Sequence, residues 1–201
     1  AIKVLKELYL DKIISYPRTH SNKYSKDYDH LSVLKELTNN AQFKGFAQSL
    51  LSTGKIHPNQ GRKDAGDHSP ITPLKGLNFT SSKLKGIKKR VYELISRYYL
   101  ALFGENAIER DSKIFVKILG EPFFVRMKGL RKPGFLEIAP FLRGRYNEPL
   151  SLESKNLEEL IGSDVPVKEV VIQEKETQPP PRYSDTSLLK LMERENLGTK
   201  S

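Results

Sequence analysis

Tyr16 lies in a run, Ile13-Ile14-Ser15-Tyr16-Pro17-Arg18-Thr19-His20-Ser21, whose residue types could carry out phosphoryl chemistry. A phenol is a nucleophile once its proton is displaced. Two residues on, Arg18 supplies a permanent cation whose planar fork matches phosphate oxygens. Pro17 fixes its own φ and disfavours helical geometry at Tyr16, so the phenol leaves a preceding helix at a defined angle. Ser15, Thr19 and Ser21 add hydroxyls of the kind that bind phosphates. Taken alone the run is ambiguous, because a Tyr-Pro pair with its ring in the core and its hydroxyl at the surface is the more frequent arrangement. A second candidate, His68, follows Tyr16 by 52 residues in Asp67-His68-Ser69-Pro70-Ile71-Thr72-Pro73. A loop histidine is most often plain surface, but polar neighbours and two stiffening prolines leave phosphate contact open. Asp64 and Asp67 share that loop. Solvated loop acids are the commoner case, so no metal ligand is assigned.

The elements that must position these groups follow from periodicity. Ile2, Leu5, Leu8 and Tyr9 recur at helical spacing and predict a short helix that delivers Tyr16. Leu31, Leu34 and Leu37 predict a second helix, and Phe43, Phe46, Ala47 and Leu50 a third that stops near Gly54. Residues 54–80, with Gly54, Pro58, Gly61, Gly66, Pro70 and Pro73, read as a long irregular loop of the kind that is functional or disordered. Ser81 or Ser82 then caps a helix whose apolar face is Leu84, Ile87, Val91, Leu94, Ile95, Tyr98 and Leu102, with Gly104 as the stop. Its other face carries Lys83, Lys85, Lys88, Lys89, Arg90 and Arg97, either a solvated face or a contact with a nucleic-acid backbone. Beyond residue 110 the period becomes two. Lys113 to Ile118 read as a strand, Gly120-Glu121-Pro122 turns into a second at Phe123–Met127, and Lys132-Pro133-Gly134 turns into a third at Phe135–Ile138. A further strand is expected from Val165 to Gln173. The triple proline in Gln178–Tyr183 makes an extended linker. A last helix, capped by Ser184 or Asp185 and carrying Leu188, Leu189 and Met192 on one face, is expected to end at Gly198.

Composition narrows the function. The 201 residues suffice for one large domain or two small ones. With no cysteine, disulfides and thiolate metal sites are excluded. No apolar run approaches the roughly 20 residues that span a membrane. The net charge is +10, and residues 1–110 hold 19 Lys/Arg against 10 Asp/Glu, whereas residues 111–201 hold 15 against 14. The basic excess therefore accompanies Tyr16. It suits a polyanionic partner bound through salt-sensitive phosphate contacts. The chain begins and ends abruptly, so a piece of a larger protein is expected.

Three separated segments resemble one family in its order. Leu10–Ser21, with Ile14-Ser15-Tyr16-Pro17-Arg18-Thr19, is similar to the active-site tyrosine segment of type IA DNA topoisomerases, most of all the topoisomerase III-like (archaeal-type) branch. Asp67–Pro73 resembles the family's second, histidine-containing motif. Gln178–Ser201, with Arg182-Tyr183, Ser184-Asp185-Thr186-Ser187-Leu188-Leu189 and Gly198-Thr199-Lys200-Ser201, resembles the third. Val91–Leu102 is similar to a helix of that branch. The resemblance implies a multi-domain α+β fold: a helical, winged-helix-like tyrosine domain over 1–110, part of a β-rich arch of the toroid over 111–183, and the start of a DNA-groove helical domain over 184–201. It implies ATP-independent cleavage and rejoining of single-stranded DNA through a 5′-phosphotyrosyl link on Tyr16, with relaxation of negative supercoils. Arg18 is then catalytic, and Ser15, Thr19, Ser21, His68, Thr199, Lys200 and Ser201 contact DNA. Mg²⁺ belongs to the complete enzyme, held by a Toprim domain outside this chain, and none is bound by the fragment. Without that domain the isolated chain should bind single-stranded DNA weakly and cleave nothing. The expected partners are single-stranded DNA and the remaining toroid domains of the same polypeptide, with no membrane, in a cytoplasmic, nucleoid-associated monomer. The alternatives are a non-catalytic winged-helix-type DNA-binding module, another tyrosine strand transferase such as a recombinase, an RNA-acting relative, or a protein-interaction domain.

Overall fold

The structure, a computed structural model, describes residues 2–78, 84–143 and 161–198. The chain divides into two compact units, Ala1–Lys155 and Asn156–Ser201. The first holds helices α1 (Ile2–Leu10), α2 (His30–Leu37), α3 (Lys44–Thr53) and α4 (Gly86–Ala101). A hairpin of β1 (Ile108–Ile118) and β2 (Glu121–Lys132) follows, then two 3-10 turns, Gly134–Leu136 and Pro140–Arg143. The second unit holds α5 (Asp185–Arg194). Among the described residues no helix is long and apolar enough to cross a membrane.

Local chemistry sets the element ends. α1 closes in a Schellman turn. Lys12 takes a left-handed φ of 56°, its N–H donates to Tyr9 O at 2.8 Å, and Ile13 N–H donates to Leu8 O at 2.9 Å. The reversal carries Ile13 and Ile14 into the core directly before Tyr16. Asp29 Oδ1 starts α2 by accepting from Ser32 N–H at 3.0 Å. α3 stops at Gly54, as the sequence predicts. In the hairpin, Leu119 and Gly120 take φ of 50° and 92°, both positive as in a two-residue type I′ turn, and the strands pair antiparallel from Ile118–Glu121 outward.

Leu8, Ile14, Leu34, Phe43, Ala47 and Leu100 have no exposed surface and form one core across all four helices. In α2 the third inward residue is Val33, while Leu31 is exposed. At Gly76 an added Cβ would stand 1.4 Å from Glu36 O, so the loop passes against the end of α2 with no room for a side chain.

Several expectations are corrected. α4 starts at Gly86 with Lys85 as its N-cap; Ser81 and Ser82 lie outside the described residues. Its buried residues are Tyr92, Ser96, Tyr99 and Leu100, whereas Ile87 is 60% and Tyr98 49% exposed. The true inward stripe is semi-polar, and its two tyrosine hydroxyls have partners that no count of apolar residues anticipates. Tyr92 Oη bonds Lys75 O and Leu77 N–H, and Tyr99 Oη pairs with His30 Nδ1 at 2.9 Å. Phe135–Ile138 is not a strand, because Phe135 N–H donates to Glu105 O at 2.8 Å and ties the segment to the end of the helical part. Val165–Gln173 has no regular structure and is exposed; among the described residues nothing pairs with it, and a strand needs a ladder partner. α5 is capped by Ser184, as predicted, but ends at Arg194 and not at Gly198. Asn196 takes φ 56° there, with bonds from Asn196 N–H to Glu193 O and from Leu197 N–H to Met192 O.

Candidate active site

The Tyr16 segment and the His68 loop are zipped together. Ile14 and Pro73 form an antiparallel bridge, flanked by Leu74 N–H donating to Ile13 O (2.8 Å) and Ser15 N–H donating to Thr72 O (2.9 Å). Side chains complete the seam. Thr72 N–H donates to Ser15 Oγ at 2.8 Å, and Ser15 Oγ donates to Pro70 O at 3.2 Å. Thr72 Oγ1 donates to Pro70 O at 2.8 Å and lies 2.9 Å from Tyr24 Oη. With the Thr72 proton committed to Pro70, Tyr24 is the donor in that pair. Further along, Thr19 Oγ1 donates to His68 O (3.2 Å) and accepts from Ser21 N–H (3.0 Å), and Ser21 Oγ accepts from Ala65 N–H (3.0 Å).

The seam stacks aromatic rings. The His68 ring packs on that of Tyr16 with centroids 4.4 Å apart and planes 47° apart. Tyr9 of α1 meets the Tyr16 ring edge-on, with centroids 5.3 Å apart at 77°. Tyr16, Pro17 and Arg18 line one side of a cavity of 240 Å³ whose remaining wall is α1. Tyr16 is half-buried and faces this space, while Arg18 is exposed. Other tyrosines differ in kind. Tyr24, Tyr92 and Tyr99 are buried, and desolvation pushes their phenols well above the ordinary value. Those three hold the core and cannot offer an oxygen to an external substrate.

Behind the seam, His30 is buried among Tyr24, Tyr28, Tyr99 and Phe103. Burial pulls its pKa below the ordinary histidine value, against a smaller upward pull from Asp29.

The structure therefore gathers Ser15, Tyr16, Thr19, Ser21 and His68 into one seam, with Arg18 on the adjoining cavity wall. The three hydroxyls are engaged inside the protein. Thr199, Lys200 and Ser201 lie outside the described residues. Sequence reasoning missed Thr72, Tyr24 and Tyr9 as parts of the site. Thr72 stood inside the quoted loop, but its bond to Ser15 spans 57 residues and leaves no local pattern.

The basic run of α4 is partly committed inside the fold. Lys88 Nζ pairs with Glu7 at 2.7 Å, holding that carboxyl below its ordinary value. Arg97 pairs with Glu93 at 2.8 Å and donates to Ile138 O at 3.0 Å. Among the described residues no three His, Cys, Asp or Glu side chains gather where they could hold a metal ion. Asp64 and Asp67 accept from Gly66 N–H (2.9 Å) and His68 N–H (2.7 Å) in local turns. This donor set does not fit a hard divalent cation, which needs converging carboxylates.

Comparison with known proteins gives a consistent result. The sequence model of a family described as "DNA topoisomerase" matches residues 1–201. DNA topoisomerase 1 of Methanothermobacter thermautotrophicus is 34% identical over 98% of this chain and 26% of its own length. Mouse DNA topoisomerase 3-beta-1 is 34% identical over 99% of this chain and 22% of its own. DNA topoisomerase 1 of Thermoplasma acidophilum is 34% identical over the whole chain and 24% of its own. The chain thus spans about a quarter of the length of these relatives.

Proposed function

This chain belongs to the type IA DNA topoisomerase family, and from that premise we propose that it carries the strand-cleaving tyrosine, Tyr16. The observation that carries the reading is the seam. Two segments far apart in sequence are bridged so that the His68 ring rests on Tyr16, which lines an open cavity beside the exposed Arg18.

In this reading Tyr16 Oη attacks a phosphodiester of single-stranded DNA. The bond from phosphorus to the 3′ oxygen breaks, the phenolic proton is lost, and the 3′ oxygen leaves as a hydroxyl. The product is a phosphotyrosine on the 5′ end. Resealing is the reverse displacement, so one ester replaces another and no ATP is consumed. An unassisted phenol is a poor nucleophile near neutrality. The Arg18 guanidinium favours the phenolate and stabilises charge on the phosphorane oxygens. His68, held by the Ser15–Thr72 clasp, positions the ring and the strand. The family implies Mg²⁺ in the complete enzyme. Its carboxylate ligands belong, in this proposal, to a Toprim domain of the full protein, and no step here runs through it. Residues 1–110 are the proposed tyrosine domain with a winged-helix-like fold, 111–183 part of the arch, and 184–201 the start of the groove domain with Thr199, Lys200 and Ser201 as phosphate contacts.

The test uses the full-length protein with negatively supercoiled plasmid and Mg²⁺, quenched in denaturant. Wild type should relax the plasmid and leave a protein–DNA adduct, and Tyr16→Phe should do neither. Relaxation that survives Tyr16→Phe overturns the reading.

A further inference from the structure

α1 carries an apolar stripe that the core covers only in part. Ile2, Leu5 and Tyr9 recur at helical spacing, yet only Leu8 of this helix is fully buried. The stripe instead faces the 240 Å³ cavity next to Tyr16, with Pro17 opposite. Tyr9 is 38% exposed there, and its ring stands edge-on to Tyr16. The charges nearby are of one sign. Lys6 and Arg18 line the cavity and are exposed, while the acid of the same helix, Glu7, is paired with Lys88 at 2.7 Å.

We propose that this cavity is a nucleobase subsite that holds one base of the strand next to the phosphate cut by Tyr16. The proposal rests on the reading of Tyr16 as the cleaving residue. Aromatic faces interleaved with cations are the chemistry of single-strand recognition, since every base offers a π-face and every linkage an anion. The volume lies below the roughly 300 Å³ at which sites for drug-sized ligands begin, so it suits one planar ring and not a whole nucleotide. Tyr9 supplies the stacking surface, Leu5 and Pro17 the apolar walls, and Lys6 and Arg18 the contacts to the flanking phosphates. A base seated there fixes the register of the strand and brings the adjoining phosphate to Tyr16 Oη. Positioning of this kind is a large part of what accelerates a displacement between two fixed partners.

The experiment is a cycle between protein and DNA in the full-length enzyme. Single abasic positions are scanned through an oligonucleotide whose cleavage phosphate has been mapped with wild type. Binding is read by anisotropy in the Tyr16→Phe background, which keeps the ring and stops cleavage. One abasic position within two nucleotides of the cut should weaken binding on the order of tenfold. Tyr9→Ala should cost a similar factor, the two together no more than either alone, and Tyr9→Phe should restore the loss. Tyr9→Leu, which keeps the cavity apolar and the helix intact, should behave as Tyr9→Ala. Losses that multiply at every position overturn the subsite. So does a Tyr9→Ala protein with unchanged affinity, or one that loses thermal stability without losing dependence on the base, as expected if protein fills the cavity. Failure of the Tyr16 reading looks different: a covalent band persists in the Tyr16→Phe background.

Discussion

The helical part of the first unit and the hairpin that follows it are both built of regular elements, and they differ in what those elements bury. In residues 2–103, apolar side chains from four helices meet in one core, and the loop bearing His68 is sewn onto it by Thr72. In residues 108–132, Phe115, Phe123 and Phe124 each remain more than half exposed. Lys113 Nζ sits 4.0 Å over the Phe124 ring and 4.8 Å over Phe115, a cation over two rings that stay largely exposed. Alternation with a paired strand suffices to form the hairpin, whereas burial requires a second surface for the element to meet. A two-stranded hairpin is marginal without one.

The sharpest way to break this contrast is at the tightest contact in the helical part. Gly76→Ala drives a methyl into Glu36 O and should cost about 3 kcal/mol or more, read as a collapse of the urea midpoint. Next comes the buried clasp. Thr72→Val leaves the buried Tyr24 Oη without its acceptor and removes one of the two donors to Pro70 O, and should cost about 2 kcal/mol, with Thr72→Ser recovering most of it. The same substitution should cut adduct formation in the full-length protein, because His68 is held through this loop.

The third test is pH. Burial holds the folded-state pKa of His30 below its unfolded value, so the fold prefers the neutral ring. Its contribution is therefore intact above about pH 6.5 and is lost as pH falls through the lower, folded value. Hydrogen exchange of α2 amides should accelerate over that window, and His30→Phe should flatten the dependence. Lys12→Gly works in the stabilising direction. It relieves the left-handed φ of 56° that turns α1 toward Tyr16, for a gain of about 0.5 kcal/mol in the urea midpoint. The smallest effect is expected in the hairpin, where Phe124→Ala should move the midpoint by no more than about 0.5 kcal/mol. A large loss there would contradict the contrast.

What the sequence made legible was local. The stop at Gly54 and the Ser184 cap each depend on a few adjacent residues and were readable. By contrast, α1 ends at Leu10 in the Lys12 turn and not at Tyr16-Pro17, and the hairpin turns on Leu119 and Gly120 while Glu121 and Pro122 already pair in β2. The orientation of α4 was not readable, because its inward face uses the hydroxyls of Tyr92 and Tyr99, and these become core residues only beside Lys75 and His30. The expected strand at Val165–Gln173 failed for a related reason, since alternation without a neighbour gives no ladder. At the site, Tyr16, Arg18 and His68 could be chosen by chemistry and family resemblance. The clasp through Ser15, Thr72 and Tyr24 could not, because it joins positions whose proximity exists only after folding.

The most direct test of the central claim is to identify the amino acid that carries DNA in the trapped adduct. After nuclease and trypsin digestion of the full-length protein, Tyr16 falls in the peptide Ile13–Arg18 and Tyr9 in Glu7–Lys12, so mass spectrometry separates the two tyrosines of the cavity. The account predicts a nucleotide joined through its 5′ phosphate to Ile13–Arg18. A nucleotide on Glu7–Lys12, on any other peptide, or joined through a 3′ phosphate would contradict it.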